Sequence, residues 1–117
     1  MKNQTKLANI VRVNPESLGK KYPFKNINYI DISSVGTGII KDSKNIAIKD
    51  APSRARRIVK NGDIILSTVR PNRRSFAFIE HPKDNTVVST GFAVLRSNSN
   101  VNNRFLYYSI SNQSFTD

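Results

Sequence analysis

Short apolar runs alternate with turn signals along most of the chain. The runs are rich in Ile, Val and Phe, a composition typical of β-strands rather than helices. The segments between them carry Gly, Pro, Asn and Asp, which favour turns. Seven strands are predicted: Ile10–Val13, Asn28–Ile32, Ile46–Ile48, Ile64–Val69, Phe76–Ile79, Val87–Val88 and Phe92–Leu95. This pattern predicts an α+β fold whose mostly antiparallel sheet curls toward a partial β-barrel.

Helical signals are scarce. Asn103–Asn112 places apolar side chains at near-helical spacing, which predicts one helix. A shorter helical turn is predicted over Pro52–Arg57, because Pro is tolerated at the first helical position. Five apolar residues of the last predicted strands are expected in the core: Ile64, Leu66, Phe92, Val94 and Leu95.

Composition narrows the class of protein. A chain of 117 residues with 38% hydrophobic residues fits one domain over residues 1–117. We expect that domain to be incomplete at its C-terminus, because the sequence stops directly after the predicted helix. The sequence has no cysteine and one histidine, which excludes disulfides and multi-histidine metal sites, and we expect no cofactor. No stretch approaches the roughly 18 apolar residues of a membrane span, so we expect a soluble cytoplasmic protein with no membrane partner.

The charge balance points to a polyanionic partner. There are 19 Lys and Arg against 8 Asp and Glu, for a net charge of +11. Positive charge is concentrated between Lys49 and Arg74, where two arginine-rich turns, SRARR and RPNRR, flank the strand DIILSTV. Arginine beside a rigid strand suits phosphate and guanine contacts, because its guanidinium is planar and always charged. The alternative is a solvated basic face in which one or two arginines pair with Asp31, Asp50 or Asp63.

Catalytic chemistry has weak support. Asp63, Glu80 and Lys83 come closest to the carboxylates and lysine of a divalent-metal nuclease. Glu80 and Lys83 flank Pro82, however, and two intervening residues would place them on opposite faces of a strand. No catalytic residue and no metal ligand is therefore predicted.

Five blocks of the sequence form an ordered set: YIDISSV (29–35), APSRARR (51–57), KNGDIILSTVRPN (60–72), STGFAVLR (89–96) and RFLYY (104–108). Together they resemble the target-recognition domain of type I restriction–modification specificity subunits. The resemblance implies an α+β domain without catalytic activity that reads one half of a bipartite duplex DNA target. The methyltransferase and restriction activities would lie on partner subunits, in a bacterial or archaeal cytoplasm.

The residues expected at a DNA interface come from the basic segment and its central strand. They are Arg54, Arg56, Arg57, Lys60, Ser67, Thr68, Arg70, Arg73 and Arg74. The hydroxyl groups of Ser67, Thr68, Ser89 and Thr90 would either donate to phosphates or satisfy backbone groups at strand ends. Tyr29, Tyr107 and Tyr108 would either stack on bases or pack. Other functions remain open at this point: a basic RNA- or ribosome-binding protein, a metal-dependent nuclease, or a shortened remnant without specific binding. A homodimer formed through an unpaired edge strand is a further expectation.

Overall fold

The structure is a computed structural model that describes residues 11–68, 75–97 and 107–108. Eight strands and two short 3₁₀ helices lie within these ranges. The strands are β1 (Val11–Val13), β2 (Asn26–Ile30), β3 (Lys44–Ala47), β4 (Ala55–Ile58), β5 (Ile64–Ser67), β6 (Phe76–Phe78), β7 (Thr86–Ser89) and β8 (Phe92–Ser97). The 3₁₀ helices are Ile32–Ser34 and Ile48–Asp50. The predicted α+β class with few helices is confirmed.

All seven predicted strands are present, and the eighth replaces a predicted helical turn. The prediction of a helical turn over Pro52–Arg57 was wrong, because β4 begins at Ala55 and pairs antiparallel with β7. Ala55 is 2% exposed and belongs to the core, so its burial in a sheet outweighs the helical signal from Pro52. Of the predicted helix Asn103–Asn112, only Tyr107 and Tyr108 are described, and both are helical. The rest of that prediction lies outside the described residues.

The strands form two four-stranded sheets. The first has the order β1-β8-β5-β6 and is antiparallel throughout. The second has the order β3-β2-β7-β4, in which β2 and β7 are parallel and the other pairs are antiparallel. The parallel pair needs a long crossover, and the intervening chain supplies it by forming β3 and β4 of the same sheet and β5 and β6 of the first sheet.

Apolar side chains are buried on both faces of each sheet, which explains why the runs are nearly continuous rather than alternating. Ile65 of β5 and Val88 of β7 lie in one shared cluster between the sheets. Their neighbours Ile64 and Val87 point to the opposite faces and enter two separate clusters. Among the five predicted core residues, Ile64, Phe92 and Val94 are fully buried, and Leu66 and Leu95 pack against the cluster of Ile64.

Irregular segments cover two of the sheet edges. The backbone of residues 16–18 bonds to β4, with Leu18 N–H donating to Arg56 O at 2.8 Å and Ile58 N–H donating to Glu16 O at 3.1 Å. The backbone of residues 36–38 pairs with Phe76 of β6, again through two hydrogen bonds. These contacts satisfy backbone groups that an open edge would expose to another chain. Within the described residues, no helix is long and apolar enough to cross a membrane.

Candidate functional site

A groove lies where four separate segments meet, and two of the predicted DNA-binding residues line it. It is an open concavity of about 550 Å³. We call it the hydroxyl groove, and its lining residues are Asp31, Ile32, Ser33, Arg54, Thr68, Ser89, Thr90 and Gly91. They come from the end of β2 and its 3₁₀ helix, the start of β4, the end of β5 and the β7–β8 turn.

Hydrogen bonds fix the floor of the hydroxyl groove. Thr68 donates its hydroxyl to Gly91 O at 3.0 Å, and its N–H donates to the same carbonyl at 2.9 Å. Ser89 Oγ accepts the N–H of Gly91 at 3.1 Å. Thr90 N–H donates to Arg54 O at 2.8 Å, which ties β4 to the turn. Thr68 and Ser89 therefore satisfy strand-end backbone groups, while Thr68 remains exposed beside Arg54.

The three arginines around β4 have different surroundings. Arg54 is 61% exposed in the groove, with Nε 3.8 Å from Asp31 Oδ1. Arg56 is exposed and is the extra residue of a β-bulge, because Ala55 and Arg57 are paired with adjacent residues of β7. Arg57 is half-buried, and its Nε is buried without a hydrogen-bond partner among the described residues. A bulge re-aims side chains, and here it places Arg56 on the surface.

The remaining predicted DNA-binding residues do not all gather at this groove. Lys60 follows the opposite end of β4, with its ammonium 3.5 Å from Glu16. Ser67 is 3% exposed inside β5, a position below the surface. Arg70, Arg73 and Arg74 lie outside the described residues.

Comparison with known proteins identifies the relatives of this chain. No protein-family model matches it. The specificity subunit of the type I restriction enzyme HindI from Haemophilus influenzae is 33% identical over 62% of this chain and 17% of that subunit. The crystal structure of the HsdS subunit from Thermoanaerobacter tengcongensis aligns with a TM-score of 0.66 at 32% identity. The chain is homologous to one segment of type I specificity subunits. That alignment covers 84% of this chain and 28% of the HsdS subunit.

A second solved structure gives the same result. It comes from work on complex assembly and conformational transition of the type I restriction–modification system, and it aligns with a TM-score of 0.67 at 29% identity. The alignment covers 87% of this chain and 29% of the other. This specificity-subunit homologue therefore spans less than a third of each relative, and the resemblance seen in its sequence blocks is confirmed.

This specificity-subunit homologue contains an ion-pair network centred on Asp63 and Arg96. The sequence offered Asp63 as a possible partner of an arginine, but it identified neither Arg96 nor Glu16 as members of the network. Asp63 is 1% exposed and accepts hydrogen bonds from Arg96 Nε at 2.9 Å, Arg96 Nη2 at 2.8 Å and Lys60 N–H at 2.8 Å. Arg96 Nη1 also donates to Glu16 Oε2. Asp63 thus joins the start of β5 to β8, and Glu16 joins both to the segment that covers β4. The available signal was Asp63 itself, since a carboxylate next to the buried pair Ile64 and Ile65 needs a charged partner.

The network shifts the pKa values of Arg96 and Glu16. Hydrogen bonds from Arg96 to Asp63 raise the pKa of the guanidinium, against the opposing effect of burial, so Arg96 stays charged. Burial alone would raise the pKa of Glu16, but the hydrogen bond from Arg96 and the charge of Lys60 outweigh it and lower that pKa below 4.5. Asp63 is thereby engaged with an arginine rather than presented to a metal. Within the described residues, no group of three His, Asp or Glu side chains is arranged to hold a metal ion.

The tyrosines that were candidates for base stacking divide between core and surface. Tyr29 is 5% exposed and lies in a core cluster. Tyr107 packs its ring 5.4 Å from Phe78 and 6.0 Å from Phe76, and burial raises the pKa of its phenol. Tyr108 is 66% exposed. Packing therefore accounts for Tyr29 and Tyr107.

Proposed function

We propose that this chain is the DNA target-recognition domain of a type I specificity subunit, reading one half of a bipartite duplex sequence. The observation that carries the proposal is the likeness to two solved type I structures over more than four-fifths of this chain, at about 30% identity. In this role the domain is non-catalytic, and it needs no cofactor. Residues 1–117 all belong to one recognition domain in this proposal.

The charge distribution supports duplex DNA as the ligand. The net charge of +11 concentrates phosphates near the surface, and release of counterions from DNA would drive binding. Arg54 and Arg56 are both exposed at the start of β4, and Arg54 lines the hydroxyl groove together with the exposed Thr68. Arg70 follows Thr68 by two positions in the sequence, and Arg73 and Arg74 complete the same basic segment. In the proposed interface Arg54 reaches into the duplex groove and the other arginines contact phosphates.

The proposed partners follow from the type I relatives. The HindI relative is a specificity subunit of a restriction enzyme, and the second solved structure concerns assembly of a type I complex. We infer that this domain works with a methyltransferase subunit and a restriction subunit in the cytoplasm of a bacterium or archaeon. A homodimer through an edge strand stays a separate prediction, which sedimentation velocity of the chain would test.

The test is a selection from a randomised duplex DNA pool with the full chain, followed by a binding titration of the chain with the selected duplex. Competition with the single strands and with a structured RNA of equal length tests the class of nucleic acid. A short consensus and preference for the duplex are expected. Preference for the RNA would favour the alternative of an RNA-binding protein and overturn the proposal.

Variants that each remove one positive charge test whether this surface binds the DNA. Arg56→Ala is expected to weaken binding to all duplexes by a similar factor and to reduce the log–log salt slope by about one phosphate contact, or roughly 0.9. Lys25→Ala is the matched control, because Lys25 is also exposed but lies before β2, outside the basic segment between Lys49 and Arg74. Equal effects of the two variants would mean that binding follows total charge rather than this surface.

A further inference from the structure

We propose that Asp31 and Arg54 together determine specificity for one C·G base pair, a role that rests on the proposed DNA-recognition function. The two side chains line the same groove, and Asp31 Oδ1 lies 3.8 Å from Arg54 Nε. The groove thus presents a hydrogen-bond acceptor and a forked donor side by side.

The acceptor is held in place by its own backbone. Asp31 caps the following 3₁₀ helix, and its Oδ1 accepts the N–H of Ile32 at 2.8 Å. That bond fixes the carboxylate at the wall of the groove, while 36% of the side chain stays exposed. An anchored and accessible carboxylate loses little conformational freedom when it accepts one more hydrogen bond.

Arg54, the hydrogen-bond donor, is held at its backbone while its side chain is exposed. Arg54 O accepts the N–H of Thr90, which sets the position of the residue in the groove. Its side chain is 61% exposed, and a separation of 3.8 Å in this setting makes the pair with Asp31 a weak surface ion pair. The guanidinium can therefore turn from Asp31 toward a ligand without losing much stability.

The chemistry of base edges selects the base pair. In the major groove cytosine presents its N4 amino group as a donor, and guanine presents O6 and N7 as acceptors. Asp31 matches the cytosine amino group, and the Arg54 fork matches the guanine. Adenine also presents an amino group, so the carboxylate alone would accept either base, and the neighbouring arginine favours C·G.

Asp31 also has a signature that distinguishes base reading from a phosphate contact. A carboxylate repels phosphate, so removing its charge leaves binding to unrelated DNA unchanged or tighter while discrimination falls. A residue that only supports the fold would instead weaken binding to every duplex alike. The sign of the effect on unrelated DNA therefore separates the two roles.

The experiment uses the full chain and the duplex selected by the wild type, with each base pair replaced in turn by the other three. Dissociation constants are measured at fixed salt for wild type, Asp31→Asn and Arg54→Lys. Asp31→Asn keeps an oxygen that can cap Ile32, and urea unfolding checks that both variants remain folded. Asp50→Asn and Arg56→Ala are the matched controls, since both residues are exposed in the same basic segment but do not line the groove.

Both groove variants are expected to reduce discrimination at the same C·G position by about ten- to a hundred-fold and to leave the other positions unchanged. Arg56→Ala is expected to weaken binding to all duplexes by a similar factor, and both controls are expected to keep the wild-type ratios of affinity between the base pairs at every position. Loss of discrimination at different positions, an unchanged profile, or a consensus without a C·G position would overturn the assignment while leaving sequence recognition intact. Failure of the wild type to select any consensus would overturn the proposed function itself.

Discussion

Replacing Asp63 by Asn tests whether the buried ion pair with Arg96 holds the two strands β5 and β8 in their observed arrangement. The carboxylate accepts three hydrogen bonds, two from the guanidinium and one from the Lys60 N–H. Asn retains one oxygen, turns an amino group toward a donor, and leaves the guanidinium without its anionic partner. Breaking one side of a buried pair costs about 3–5 kcal/mol. Arg96 is 17% exposed, so water partly rehydrates it, and we expect the lower end of that range, about 3 kcal/mol.

That loss is a large share of the total stability, because a domain of this size is stable by only about 5–15 kcal/mol. In a urea titration followed by circular dichroism, the midpoint should fall by roughly 1–3 M if the slope is typical of a small domain. Asp42→Asn is the matched control. Asp42 is exposed and its Oδ1 accepts the N–H of the adjacent Ser43, so its replacement should change the free energy of unfolding by less than about 0.5 kcal/mol.

A double variant separates loss of the pair from a general effect of changing Asp63. Asp63→Asn combined with Arg96→Met removes both charges and fills the space with an apolar side chain. The free energy lost should be smaller than the sum of the two single losses, because no buried charge is left unpaired. Equal midpoints for Asp63→Asn and Asp42→Asn, or strict additivity in the double variant, would refute the reasoning.

Three further predictions concern pH, a turn and the core. The pKa of Glu16 is lowered in the folded state, so its contribution of up to about 1 kcal/mol to stability is present above pH 4.5 and is lost as pH falls through the folded pKa. In urea titrations the difference in free energy of unfolding between wild type and Glu16→Gln should therefore shrink at acidic pH. A difference that grows there would contradict the direction of the pKa shift. Gly62 has a φ of 92°, so Gly62→Ala should lower the free energy of unfolding by about 1 kcal/mol or more. Gly19→Ala is the control and should have little effect, because nothing lies within 4 Å of an added Cβ. Equal losses of stability in the two variants would count against the turn geometry at Gly62. Ile65 is fully buried between the sheets, so Ile65→Ala should lower the free energy of unfolding, measured by heat or urea, by about 2–5 kcal/mol. The control Ile39→Ala should lower it by less than about 0.5 kcal/mol, because Ile39 is 56% exposed. A small loss of stability in Ile65→Ala would mean that the sheets do not pack as described.

Much of the fold followed from local sequence signals. The seven predicted strands are all present because Ile, Val and Phe runs such as Ile64–Val69 combine β-propensity with burial. Asn61-Gly62 forms the predicted turn, with Gly62 at positive φ and its N–H donating to Ile79 O at 2.7 Å. The strand at Ala55 was missed because SRARR has no apolar alternation, and its strand character comes from pairing with β7, which is distant in sequence.

The site was predictable in part, and the missing part depends on long-range contacts. The arginine-rich turn and the resemblance blocks pointed to Arg54 and Arg56, which are exposed. Asp31 was one of three carboxylates expected to pair with an arginine, and its ion pair is with Arg54. The sequence could not select Arg54 among the arginines, because the end of β2 meets the start of β4 only through β7. It also could not assign Arg96 to Asp63, a pair separated by 33 residues that meets across β5 and β8.

Whether this chain reads a duplex sequence can be decided from one ratio of dissociation constants. The full chain is titrated with the duplex it selects and with a scrambled duplex of equal length and composition, at the same salt concentration. Sequence recognition predicts that the selected duplex binds more tightly by about 10³-fold or more, the lower end for specific DNA-binding proteins. Equal affinities for the two duplexes, both falling with salt, would show that the positive charge alone binds DNA and would contradict the account.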